Sequence, residues 1–109
     1  MVSKYLESKW YGLVSRYNKP ALSDEMFSEI VEAYGEKHRH YHTLSHIEHM
    51  FKELDAGSGV SEAVQWSVWY HDIVYKPGRS ANEEESAKLA LHRLSALGVD
   101  NSTLEQVEA

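Results

Sequence analysis

Thirteen residues, "HRHYHTLSHIEHM" from 38 to 50, hold five of the seven histidines in this 109-residue chain. Imidazoles this close together can bind a metal, exchange protons or simply face solvent. On a helix with His42 at 0°, His46 falls at about 40° and His49 at about 340°. Leu44, Ile47, Met50, Phe51 and Leu54 fall between about 80° and 200°. His46 therefore sits at the edge of the apolar face beside Met50, His42 a little further out, and His49 leans to solvent. The i, i+4 spacing lets His42 and His46 converge on one point, although such a pair equally suits a solvated or capping arrangement.

A second group with chemistry in it is His71-Asp72, near the end of "EAVQWSVWYHDIV". Apolar or aromatic side chains point nearly all round that segment, which predicts a helix at the centre of the fold. An ionised carboxylate in such a setting costs several kcal/mol unless it is paired or bound to a cation. Asp72 capping a neighbouring helix, with His71 a satisfied core histidine, is the alternative. Imidazole nitrogen with carboxylate oxygen suits Zn, Mn, Fe, Ni, Co or Mg, and the chain has no cysteine to offer a thiolate.

The elements that must carry these groups read as helices almost throughout. Leu6, Trp10, Leu13, Val14 and Tyr17 recur at helical spacing until Lys19-Pro20 interrupts them. Ser23 reads as an N-cap with Asp24 and Glu25 in the first turn, followed by a stripe of Met26, Phe27, Ile30, Val31 and Tyr34 that Gly35 closes. A third helix covers roughly Thr43 to Leu54, and a fourth starts after Ser61. Asn82 reads as the cap of a fifth, whose "EEE" suits the positive end of the helix dipole. No strand alternation, repeat or linker interrupts the pattern, so the expected fold is an all-α bundle of about five helices in one domain.

Asn101-Ser102 looks like one more N-cap with only seven residues after it, a marginal helix with little to bury. That abrupt end predicts a chain stopping inside a larger domain. It also predicts an apolar patch, with Trp66 and Trp69 part of it, either exposed or hidden by self-association into a homo-oligomer.

Composition narrows the partners. Eleven basic against 17 acidic residues give a net charge of −6, which disfavours a nucleic-acid polymer or an anionic membrane. No stretch approaches transmembrane length, and "MVSKYLESKWYGLVSRY" does not read as a signal peptide. A cytoplasmic protein is the default expectation.

A histidine on one helix, then a His-Asp doublet ending the next long apolar helix, resembles the HD superfamily of metal-dependent phosphohydrolases. More narrowly, "RHYHTLSHIEHM" followed by "VWYHDIVYKPGRSANEEESA" is similar to a bacterial branch of predicted phosphohydrolases. The matching positions are Arg39, Tyr41, His42, His46, Tyr70, His71, Asp72, Asn82, Glu83, Ser86 and Ala87, and the likeness covers nearly the whole chain. It implies an HD-domain-like bundle in which His46, His71 and Asp72 hold a divalent metal ion. The activity it implies is metal-assisted hydrolysis of a small phosphorylated substrate, with a nucleotide as one candidate.

His42 would then be a second pocket histidine, for a further metal or for phosphate, and Arg39 a phosphate anchor whose fork matches phosphate oxygens. Lys76 and Arg79 are further cations in the loop after the doublet, where a solvated position is the simpler reading. Glu83, in the first turn of the fifth helix, could serve with Asp72 as a catalytic carboxylate; matching the helix dipole is its plainer role. One departure stands out. The family completes its metal site with a distant Asp on a later helix, whereas Asp100 is the only Asp after Asp72. Members of the branch are also longer. The chain therefore resembles the N-terminal half of the domain, expected to be weakly active or inactive alone. A non-catalytic helical module that binds a ligand or protein through an incomplete metal site is the competing expectation.

Overall fold

Ser3 opens the first helix: its backbone is extended and its hydroxyl accepts the Leu6 N–H at 3.2 Å, satisfying a first-turn donor. The structure is a computed structural model and describes residues 2–36, 43–55, 60–75 and 81–108. Among these residues six α-helices follow one another: α1 (Lys4–Val14), α2 (Pro20–Tyr34), α3 (Leu44–Asp55), α4 (Glu62–Tyr70), α5 (Asn82–Leu97) and α6 (Asn101–Glu108). A short 3-10 turn at Ser15–Tyr17 tightens the end of α1 before Asn18 takes a left-handed conformation at φ 53°. There is no strand among the described residues. The fold is all-α, and among the described residues no helix is long and apolar enough to cross a membrane.

Helix starts differ from the sequence expectation in instructive ways. α2 begins at Pro20, not at Ser23, because proline brings a helical φ and lacks only an N–H that has no intrahelical partner there. Ser23 is instead buried within α2, and its carbonyl accepts the Trp10 Nε1–H at 3.1 Å. Asn82 is the first residue of α5, with Ala81 in the cap position and no side-chain cap. Asp100, rather than Asn101, caps α6: its Oδ1 accepts the Thr103 N–H at 2.8 Å. That hydrogen bond holds the Asp100 carboxyl below its ordinary value, and it gives Asp100 a structural task.

α6 is more than a frayed tail. Leu104 is buried, Val107 packs against the core, and the helix lies on α4 and α5. Trp66 and Trp69 are fully buried, so they do not form the expected exposed patch. The large apolar side chains exposed among the described residues are Tyr11 and Val64.

An aromatic cluster fixes α4 in the centre. Trp10 stacks on Phe27 with ring centroids 5.6 Å apart, and presents its edge or face to Trp66 at 5.6 Å and Trp69 at 5.4 Å. Phe51 of α3 meets Trp69 from another side at 5.3 Å. Each buried Trp removes enough area from water to contribute about 4–6 kcal/mol before entropic costs. With three of them meeting on and against α4, that helix cannot rotate without breaking the core. Whatever follows its last turn is therefore presented in a fixed direction.

Candidate functional site

α4 stops at Tyr70, four residues before the apolar pattern ends at Val74. His71 occupies its C-cap position, still helical, with its N–H donating to Ser67 O at 2.8 Å. The chain then turns, Ile73 N–H donating to Tyr70 O at 3.2 Å. His71 and Asp72 thus follow α4 rather than occupy its last turns. Beyond them Val74 is clasped by α5: its N–H donates to Ser86 Oγ at 3.0 Å, and the Ser86 hydroxyl donates back to Val74 O at 3.3 Å. Ser86 is buried, which gives the serine of "NEEESA" a physical task. It ties the exit from the doublet to the start of α5, and so sets Glu83 near His71 and Asp72.

The doublet itself is tightly organised. His71 Nδ1 lies 3.0 Å from Val68 O, an acceptor only, so the Nδ1 proton points there and Nε2 faces away from α4. Asp72 Oδ2 lies 2.9 Å from that Nε2. Burial disfavours the imidazolium, but the Asp72 carboxylate and the Val68 and Ser67 carbonyls outweigh it, and His71 titrates above its ordinary value. Both side chains keep partial access to solvent, with 33% and 21% of their surface exposed. A group arriving from outside can reach them.

The donor chemistry fits a divalent cation. Two donors about 2.1 Å from one ion, at right angles, stand about 3 Å apart, close to the observed separation. A backbone carbonyl on the far ring nitrogen is the usual way a metal-binding histidine is oriented. His46, on the first turn of α3, brings its ring centroid within 6.1 Å of the His71 ring, although the residue is exposed. Of the three predicted ligands, His71 and Asp72 are paired and the His46 ring lies beside that of His71. Among the described residues, however, no group of three or more His, Asp or Glu side chains is closed around a point that would hold a metal ion.

Beside the doublet lies a cleft of about 280 Å³ between α4, α5 and α6. His71, Asp72 and the exposed Glu83 line its polar side, Ala87, Ala90 and Val107 its apolar side. Tyr70 also lines it, yet its hydroxyl is buried with no hydrogen-bond partner among the described residues. Burial pushes that phenol well above its usual range, and the nearby Glu29 carboxylate adds to the effect. An unpaired buried hydroxyl costs about 1–3 kcal/mol.

Asp72 and His71 thus stand together, with the His46 ring beside that of His71 and Glu83 at the rim of the same cleft. His49 points to solvent and pairs with Glu53 one turn on at 3.1 Å. Arg39 and His42, with Lys76 and Arg79, lie outside the described residues. Two buried tyrosines of the site carry little signal in the sequence. Tyr34 reads there as one more member of an apolar stripe, and Tyr70 as the aromatic before the doublet. The available hint is that a buried Tyr, unlike Phe, brings a hydroxyl that needs a partner. No family model, curated protein or solved structure matches the chain.

Proposed function

We propose that this chain carries a divalent-metal site of the HD type and serves a phosphohydrolase acting on a small phosphate ester, a nucleotide being one candidate. The observation that carries this reading is the pairing of His71 Nε2 with Asp72 Oδ2 at 2.9 Å, with Nδ1 held by Val68 O, at the mouth of a partly open cleft. Mn, Mg, Ni, Co, Fe and Zn all suit these donors. When bound, such a cation makes water acidic enough to give hydroxide near neutral pH and offsets charge on phosphoryl oxygens.

The chain's own residues divide the remaining work. His71, Asp72 and His46 hold the ion, and Asp72 also keeps negative charge at the point of reaction. Glu83, exposed at the rim, accepts or returns a proton as the ester is cleaved. Arg39 and His42 bind the phosphate in this reading. The cleft wall of Ala87, Ala90 and Val107 takes the organic part of the substrate.

A second reading, a helical module that binds a ligand without turning it over, has one observation in its favour: no closed group of three donors exists among the described residues. Turnover separates the two. Phosphate release from p-nitrophenyl phosphate and from nucleoside monophosphates is measured with Mn²⁺, Co²⁺, Ni²⁺ or Mg²⁺. Metal-dependent release that Asp72→Ala abolishes supports the enzyme. Metal binding with no release by any of them supports the module, and release that survives Asp72→Ala would sink the assignment of the site.

A further inference from the structure

The residue that sets the geometry of the doublet belongs to neither α4 nor α5. Tyr34 is the last residue of α2, fully buried, and its hydroxyl reaches across the core to the end of α4. It donates to Trp69 O at 2.9 Å and accepts the Asp72 N–H at 3.2 Å. Those two groups lie on either side of the point where α4 stops.

The bonds these groups would make in a continued helix show what the hydroxyl replaces. There, Asp72 N–H would donate to Val68 O, and Trp69 O would accept the Ile73 N–H. Here Val68 O is taken by the His71 ring, and Ile73 N–H turns to Tyr70 O. A partly buried N–H and a buried C=O are thereby displaced from the helical ladder, and a single hydroxyl satisfies both. Because Tyr34 takes the Asp72 N–H, Val68 O is left for His71 Nδ1. Because Nδ1 is held, Nε2 faces Asp72 Oδ2.

We propose that Tyr34 is the positioning residue of the doublet: its hydroxyl stops α4 at Tyr70 and holds the His71 ring and Asp72 carboxylate pointed at one place. This rests on the metal-site reading above and extends it to a residue that touches neither the ion nor the substrate. Without the hydroxyl, Asp72 N–H competes for Val68 O, α4 extends by a residue or two, and the His71 ring loses its anchor. The packing of the Tyr34 ring is untouched by that change.

Tyr34→Phe tests it, with Mn²⁺ binding followed by electron paramagnetic resonance and thermal unfolding followed in parallel. Ile30→Val, one turn earlier on α2 and also buried, serves as a core change that removes no hydroxyl. The expected result is Mn²⁺ affinity at least about tenfold weaker in Tyr34→Phe and unchanged in Ile30→Val. Equal affinity in wild type and Tyr34→Phe would overturn the positioning role while leaving the metal site standing. A wild-type chain that binds no Mn²⁺ would overturn both. If Tyr34→Phe folds poorly, hydrogen exchange in the wild-type chain decides instead. The Asp72 amide, outside any helix, is expected to exchange slowly, and exchange as fast as at an exposed loop amide overturns the proposal.

Discussion

At the N-terminal end of α4, the Glu62 carboxylate accepts from three side chains at once: Arg16 at 2.6 Å, Trp66 Nε1 at 3.0 Å and the Tyr17 hydroxyl. Ser61 caps the same end, accepting the Val64 N–H at 3.3 Å. At the C-terminal end, a carboxylate and an imidazole face each other at the mouth of a cleft, and the Tyr70 hydroxyl is buried without a partner among the described residues. One helix therefore has one end saturated with internal bonds and one end with bonding capacity left over. A group needed for stability alone is best satisfied from within the fold, as Glu62 is. Capacity left over in a rigid setting is what a ligand would use.

The comparison breaks if the two ends respond alike to substitution. The largest expected effect is on binding: Asp72→Ala weakens Mn²⁺ by at least about a hundredfold, because in the proposed site it removes a direct ligand where even outer partners count for 10–100-fold. Its stability, measured by urea unfolding, stays within about 1 kcal/mol of wild type, as expected for a partly exposed group. Glu62→Ala should do the reverse. It leaves the Trp66 N–H and the Tyr17 hydroxyl unpaired, a loss of about 2–4 kcal/mol in urea unfolding, with Mn²⁺ affinity unaltered. Loss of metal binding in Glu62→Ala, without unfolding, would erase the distinction between the ends.

Tyr70→Phe sharpens the contrast further. Removing a hydroxyl that has no partner should leave stability unchanged or raise it by up to about 1 kcal/mol. A drop of more than about 1 kcal/mol would mean that the hydroxyl is internally bonded. The smallest effect concerns acid. Asp55 is held below its ordinary value by hydrogen bonds from Lys9 and Tyr5, and Glu48 by those from Ser3 and Lys52. Depressed carboxyls contribute stability above their unfolded values, near pH 4, and lose it as pH falls through the lower folded values. A shallow decline in melting temperature below about pH 4, flattened in Asp55→Asn and in high salt, is expected for such exposed pairs. A decline that Asp55→Asn leaves unchanged would place its origin elsewhere.

Much of the fold was legible because apolar spacing is a direct consequence of helical geometry. The stripes of Leu6 to Val14 and of Met26 to Tyr34 each became a buried face, and the nearly all-apolar α4 became the centre. Helix starts were less legible, since Ser23, Asn82 and Asn101 are all reasonable caps by residue type. α2 instead starts at Pro20, whose fixed φ suits a first turn, while Ala81 and Asp100 take the cap positions of α5 and α6. At the site, His71 and Asp72 stood out because a charged pair in an apolar segment demands an explanation. Tyr34 did not, because its role depends on Asp72, 38 residues away, and on which carbonyl the His71 ring occupies. Exposure of His46 also escaped the helical wheel, which gives its direction but not the distance to its neighbours.

Whether the doublet binds a divalent cation is tested most directly by paramagnetic broadening. Mn²⁺ is added in small sub-stoichiometric steps while the imidazole resonances of all histidines are followed by NMR. His71 and His46 signals are expected to broaden first and together, while those of His49, paired with Glu53, and of the exposed His92 persist longer. Early loss of His49 or His92 with His71 left sharp would contradict this.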